Sequence, residues 1–301
     1  MRSTAILAAA GALLTFAAGC GPAYCDPYSD PYCGYYYGPV DYLGVGVDPY
    51  GYCSDPISCG CLDPTVCLTK VEASPAACAA GDGTCVVRSL GTSVNRALQS
   101  ALLPVDALLS ASPSTQGDLA VYGPVDAAAP GATKGSAATF RLTVRRSSAT
   151  TSWKLEAEPL DRSSGWATVF TGTMVPDAQS RRGRGVLGVD LDALATVNAA
   201  AYPGGGRLLG AFDGDGSQKA TSYRLAGFRT GSAAATDGLL SSTTAADGSV
   251  RTVFSAPGAA PVQVTGSATP LVSGGASGGA SAAPVSLHPG DPPTSMPDPG
   301  F

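Results

Sequence analysis

The 301-residue chain predicts a mainly β protein, an antiparallel meander curled into an open barrel, with a two-sheet sandwich as the alternative. Three observations carry this. Between residues 117 and 266 the apolar pattern has period two: Phe140, Leu142 and Val144 alternate with Arg141, Thr143 and Arg145, and Trp153, Leu155 and Ala157 with Lys154, Glu156 and Glu158. Clusters of Gly, Asp, Ser and Pro separate such runs. No long helical pattern lies between them, so the crossovers that a parallel sheet requires are missing. The chain divides into a leader (1–19), a cysteine-dense head (20–85), a helix and linker (86–116), the β domain (117–266) and a tail (267–301).

The leader has one positive residue, Arg2, followed by an almost wholly apolar run from Thr4 to Ala18. That length suits a secretory h-region and is too short to span a bilayer as a helix. Small residues end the run, and a cysteine follows directly: Phe16-Ala17-Ala18-Gly19-Cys20. This stretch resembles the bacterial lipoprotein signal, in which a small residue precedes the lipidated cysteine. It departs from the family preference for Leu three places before that cysteine, having Ala17 there. The resemblance covers residues 1 to 20. It implies cleavage before Cys20, a diacylglycerol thioether on its sulfur and an acyl chain on its new amino group. Each buried methylene contributes about 0.8 kcal/mol, so three chains hold a protein where one binds only marginally. Gly21 is neither acidic nor basic, which points away from inner-membrane retention and towards the outer membrane. The alternative is plain secretion with Cys20 in a disulfide.

The head accounts for the cysteines. After Cys20 come Cys25, Cys33, Cys53, Cys59, Cys61, Cys67, Cys78 and Cys85, and none follows. With Cys20 lipidated an even eight remain, which in an exported chain reads as a disulfide framework of undetermined pairing. The spacing Cys53-x5-Cys59-x-Cys61-x5-Cys67 lacks the paired Cys-x2-Cys knuckles of a structural zinc site, and no cofactor is expected. Asp-Pro at 26, 30, 48, 55 and 63 makes the backbone a succession of turns. Nine of the twelve tyrosines lie between Tyr24 and Tyr52. They suit either a spacer or a contact surface for glycan or an envelope protein. Residues 20–85 hold eight acidic residues and one base, while residues 86–230 hold fifteen bases and eleven acids. With a net charge of −5, the chain has no nucleic-acid footprint.

An amphipathic helix is expected over residues 92–110, capped by Thr92 or Ser93 and presenting Val94, Ala97, Leu98, Ala101 and Leu102 on one face. Pro104 is expected to kink or end it, with Val105, Leu108 and Leu109 in a second short turn. Arg96 is the only base in this span, so packing on the sheet is favoured over lying on a membrane. A helix plugging the concave side of such a sheet is similar in architecture to the periplasmic lipoprotein carriers and lipocalin-like proteins, without a shared motif.

Further strands are expected at Leu119–Tyr122, Trp166–Met174, Leu187–Leu191, Arg207–Phe212, Thr221–Phe228, Ser249–Phe254 and Val262–Thr265. If the two clearest strands pair, Arg141 and Arg145 lie across from Glu156 and Glu158. Trp153 and Trp166 are expected as core anchors. Beyond Gly231 small and polar residues dominate, and the tail is expected to be disordered.

Motifs for chemistry are weak. Gly183-Arg-Gly185-Val-Leu-Gly188 fits the dinucleotide spacing, but the residues after it alternate as a strand where the fingerprint needs a helix. Arg181, Arg182 and Arg184 form a small basic loop, read as a solvated turn. Asp213, Asp215 and Ser217 begin like a calcium loop, yet Gln218 and Arg224 occupy the places where an EF-hand needs Gly and Glu. Gly275-Ala-Ser277-Gly-Gly279 lies in a low-complexity tract, and the only histidine, His288, is in the tail, so no hydrolase triad is assembled. Asp190 and Asp192 are the nearest carboxylate pair, with Asp192 a possible cap for a short segment at Ala193–Val197. The leading expectation is a lipid-anchored envelope lipoprotein with a non-catalytic structural or binding role. The alternatives are a carrier or sensor whose cavity would be lined by Leu142, Val144, Trp153 and Leu155, and a carboxylate-dependent hydrolase.

Overall fold

The computed structural model describes residues 78–79, 81–109, 111–128, 135–147, 149–176, 183–214, 219–231, 233–245, 249–267 and 290–301. The leader, Cys20 and most of the head lie outside these residues.

Eleven antiparallel strands form one open sheet in simple sequence order: β1 (Ser114–Gln116), β2 (Leu119–Ala127), β3 (Ala138–Arg146), β4 (Thr151–Glu158), β5 (Ala167–Pro176), β6 (Gly183–Asp190), β7 (Gly204–Gly214), β8 (Lys219–Thr230), β9 (Thr236–Thr244), β10 (Ser249–Ser255) and β11 (Val262–Ser267). A single sheet excludes the sandwich. Helix α1 (Gly83–Leu109) precedes the sheet, and α2 (Leu191–Asn198) joins β6 to β7. Helix α1 touches β2 and β3, β6, and β9 to β11, so the sheet curls round it from both sides.

Helix α1 is longer than its sequence pattern suggests. It starts nine residues before Thr92, and Asp82 supplies the cap, its Oδ1 accepting from the Cys85 amide at 3.0 Å. Thr92 instead donates its hydroxyl to the Arg88 carbonyl one turn back. The helix also continues through Pro104. An interior proline costs about 3 kcal/mol. Burial on both sides offsets it, because Leu98, Ala101, Leu102, Val105 and Leu108 are all within 4% of full burial and each large aliphatic contributes about 1.5–3 kcal/mol. At the other end, a Cβ on Gly83 would sit 2.8 Å from a Val262 methyl, so glycine there lets the helix start against β11.

The strands behave as their period-two pattern requires. Val144, Trp153, Gly172, Leu187, Gly210, Tyr223 and Leu240 stand side by side across β3 to β9 and face the helix. The row alternates large and small. The Trp153 ring lies over Gly172 and the Tyr223 ring over Gly210, each where a Cβ would collide with it. Such pairing of aromatic and glycine on neighbouring strands fixes register and lets the sheet bend. Towards β8–β10 the neighbouring inner row becomes polar, with Thr221, Ser242 and Thr252 buried and a Ser242–Thr252 hydroxyl contact of 3.1 Å.

Three expectations about strands need correction. Strand β9, with the weak sequence Thr-Asp-Gly-Leu-Leu-Ser-Ser-Thr-Thr, lies inside what reads as a small-residue tract; its Leu240, Ser242 and Thr244 are nevertheless the inward set. Arg141 does face Glu156, with two hydrogen bonds of 2.8 and 3.2 Å, but Arg145 faces Ser152, and Glu158 faces Thr139. An antiparallel ladder that aligns one ion pair separates the other, because the two strands run in opposite directions. Trp166 is not a core anchor: it is half-buried, and the Arg141 guanidinium stacks 4.4 Å above its ring.

The tail also departs from expectation at its end. Residues 290–301 are described and lie on the outer face of the sheet, with Met296 and Pro297 over Gly188 and the Gly300 carbonyl accepting from Arg145 at 2.7 Å.

Candidate functional site

Three places were singled out by residue chemistry: the junction between head and body, the interior under α1, and the paired carboxylates.

At the junction Cys78 and Cys85 form a disulfide, with their Cα atoms 5.6 Å apart. Cys85 sits in the first turn of α1, so the bond ties the end of the head to the helix that fills the sheet. The Cys78 sulfur also lies 3.6 Å from the Ser89 hydroxyl, one turn further along. Cys20, Cys25, Cys33, Cys53, Cys59, Cys61 and Cys67 lie outside the described residues.

The interior is filled by side chains. Leu142, Trp153 and Leu155 are 0% exposed and Val144 is 1% exposed, in one cluster with Val94, Leu98, Val105 and Leu108 of α1. A space large enough for water would leave accessible area on its walls, and these walls have essentially none. Phe170 packs beside Trp153 with ring centroids 5.9 Å apart. The indole Nε1 of Trp153 is buried without a partner among the described residues, so it makes its contribution as an apolar plate.

Helix α2 closes against β4, β5 and β7 through Leu191, Leu194 and Val197. Beside it, Tyr202 meets Phe140 edge to face, with centroids 6.4 Å apart. Burial alone pushes the Tyr202 phenol up to about 12.

The carboxylates are held in structural roles. Asp190, at the end of β6, caps α2 by accepting from the Ala193 amide at 2.9 Å, and its other oxygen pairs with Arg207 Nε at 2.9 Å. The cap is therefore Asp190, not Asp192. Asp192 is in the first turn of α2, exposed, and pairs with Arg229 at 3.4 Å. The turn into α2 stops the two carboxylates from sharing a strand face. No group of three or more metal-ligating side chains occurs among the described residues. Asp213 lies in β7 and has a partner, while Asp215 and Ser217 lie outside the described residues, as do Arg181, Arg182, Ser277 and His288.

The dinucleotide-like glycines receive a packing explanation. A Cβ on Gly185 would meet the Phe212 ring at 2.7 Å, and one on Gly188 would meet Met296 at 2.6 Å. Both lie within β6, which runs on to Asp190. The helix that follows, α2, starts at Leu191 where the strand was expected to continue, and its N-terminus is capped by the Asp190 carboxylate, the opposite of an open pyrophosphate cradle. Sequence reasoning missed the role of the chain's last residues. The available signal was Met296 and Phe301 in an otherwise small and polar tract, together with a glycine in the middle of a strand. Comparison with protein-family models, curated proteins and solved structures finds no match to this chain.

Proposed function

We propose that the chain is a lipid-anchored cell-envelope lipoprotein, held at the outer membrane through Cys20, with a non-catalytic structural or binding role. The observation that carries the reading is Phe16-Ala17-Ala18-Gly19-Cys20, which closes a short apolar run. Two further observations support it. The remaining eight cysteines are even in number, and two of them, Cys78 and Cys85, are joined in the structure, as an oxidising compartment allows. The interior beneath α1 is packed with side chains, and Asp190 and Asp192 are engaged by Arg207 and Arg229, so the body reads as a scaffold. In this reading the head stands next to the membrane, its tyrosines offering contacts to glycan or an envelope protein, and the β domain stands beyond it.

An intact-mass measurement on the protein extracted from membranes, with and without reductant, tests the reading. The expected species starts at Cys20, carries three acyl chains and takes up eight hydrogens on reduction. A chain that retains residues 1–19, or an unacylated Cys20, would overturn the anchor.

A further inference from the structure

The outer face of the sheet is polar along most of its rows, and one of its dry patches lies beneath residues 290–301. In the row Thr143, Lys154, Thr171, Gly188, Leu209 and Arg224, running from β3 to β8, Thr171 is 2% exposed and Leu209 is 1% exposed. Gly188 lies between them. Residues 290–301 run across this row. Met296 and Pro297 rest directly on Gly188: a Cβ there would come within 2.6 Å of the Met296 sulfur and 2.8 Å of a Pro297 ring carbon. The next nearest atom to that Cβ would be a Leu209 methyl, at 3.3 Å. The glycine thus makes room for the segment.

The far end of the segment is held by charge and shape. Asp298 Oδ1 accepts from the Gly300 amide at 2.9 Å, and Gly300 takes φ +76°, so Asp298-Pro299-Gly300 is a tight turn. That turn aims the Gly300 carbonyl at Arg145 Nη1, 2.7 Å away, and lays the Phe301 ring beneath two cations. The Arg145 guanidinium is 5.1 Å from the ring centroid and the Lys154 ammonium 5.9 Å. Arg145 is itself held by Asp118 at 3.3 Å. Four of the twelve residues are proline, Pro292, Pro293, Pro297 and Pro299, and Pro292 is buried. A proline-rich strap gives up little conformational freedom on docking, which is why such segments serve as ligands.

We propose that the outer face of β3–β7, around Gly188, Leu209, Arg145 and Lys154, is a recognition site for a proline-rich segment that presents an unbranched apolar side chain and, after a turn, an aromatic ring, and that Gly290–Phe301 occupies it as a tethered ligand of the same chain. Twenty-two residues connect Ser267 to Gly290. Docking is therefore intramolecular, and a free peptide of the same kind competes against a ligand that never diffuses away. The site differs from a general sticky face because its two determinants are separate: an absent side chain at 188 sets the apolar half, and a pair of cations sets the aromatic half.

The test uses the full chain and a fluorescent peptide of the sequence from Gly290 to Phe301, labelled at its first residue and amidated at its last. Wild type should bind it weakly. A Met296→Glu/Phe301→Ala chain, whose own strap is weakened, should bind it at least about tenfold more tightly, since the tether no longer competes. Adding Gly188→Val to that chain should abolish binding with the thermal transition unchanged. Arg145→Ala/Lys154→Ala, which leaves β6 untouched, should weaken binding independently. The proposal is overturned if the strap-weakened chain binds no more tightly than wild type, or if Gly188→Val leaves its binding intact. A wild-type dimer that Gly188→Val dissociates would overturn occupancy by the same chain in favour of a second copy.

Discussion

On both faces of the sheet a bulky group lies over a glycine, but the bulky groups come from different places. Inside, Trp153 and Tyr223 cover Gly172 and Gly210 from the adjacent strand. Outside, Met296 and Pro297 cover Gly188 from the far end of the chain. The inner contacts are made between neighbours in one ladder, so they form with the sheet and are lost only with it. The outer contact joins a segment that the sheet does not need for its hydrogen bonds. Similar local geometry therefore serves stability on one face and recognition on the other.

The largest effect expected from this contrast is on the inner face. Trp153→Ala should cost about 3–5 kcal/mol in urea unfolding. Leu209→Ala on the outer face should cost less than half as much, although both residues are equally buried. The neighbours of Leu209 can close over the gap, whereas the interior is fixed by the helix and the surrounding strands. Equal losses at the two positions would break the comparison.

A smaller effect belongs to the junction. Cys78 and Cys85 are 7 residues apart, and closing so short a loop contributes about 2–3 kcal/mol in the chain-entropy model. Cys78→Ser/Cys85→Ser should lower the thermal midpoint accordingly and should loosen the first turns of α1 before the sheet. A transition in which helix and sheet melt together at the wild-type midpoint would show that the bond does not hold the helix start.

The smallest effect at neutral pH, and the one most specific in pH, is at Tyr202. Burial pushes its pKa in the fold up to about 12, above the 10.0 of a free phenol. The neutral form is thus favoured in the fold. Its stabilisation is complete below pH 10 and is lost as pH rises from 10 to about 12, by up to about 1.4 kcal/mol per pH unit. The hydroxyl has no partner among the described residues. Tyr202→Phe should therefore be neutral or slightly stabilising at pH 7, and alkaline titration of its stability should lack that slope. A strong loss at pH 7 would mean that the hydroxyl is bonded after all.

How far the sequence could be read follows from where each signal is local. The alternation in β3, β4 and β6 names its own buried face, because period two is visible within a few residues. The inner set Leu142, Val144, Trp153 and Leu155 was legible for that reason. Strand β9 was not, because Leu240, Ser242 and Thr244 read as loop residues until β8 and β10 are placed on either side. The first turns of α1 were hidden for a similar reason: Gly83 and Thr84 are poor helix residues whose position is fixed by Asp82, by the disulfide and by the close approach to Val262. Pro104 misled because its local cost is visible in the sequence, whereas the burial that offsets it is tertiary. The docked strap was beyond reach, since its partners Gly188, Arg145 and Lys154 come from three different strands. Of the site chemistry, a capped helix N-terminus near Ala193 was legible, but the cap is Asp190 where the sequence pointed to Asp192, and its partner Arg207 required the β6–β7 register.

The account rests on α1 being a fixed core element of the sheet and not a lid over it. Amide hydrogen exchange on the full chain tests this most directly. Amides from Leu90 to Leu108 should exchange as slowly as those of β4, β5 and β7, through the same global opening and with the same dependence on denaturant. Exchange of that helix by a separate opening orders of magnitude more frequent than unfolding of the sheet would contradict it, and would restore the reading in which the sheet holds a ligand.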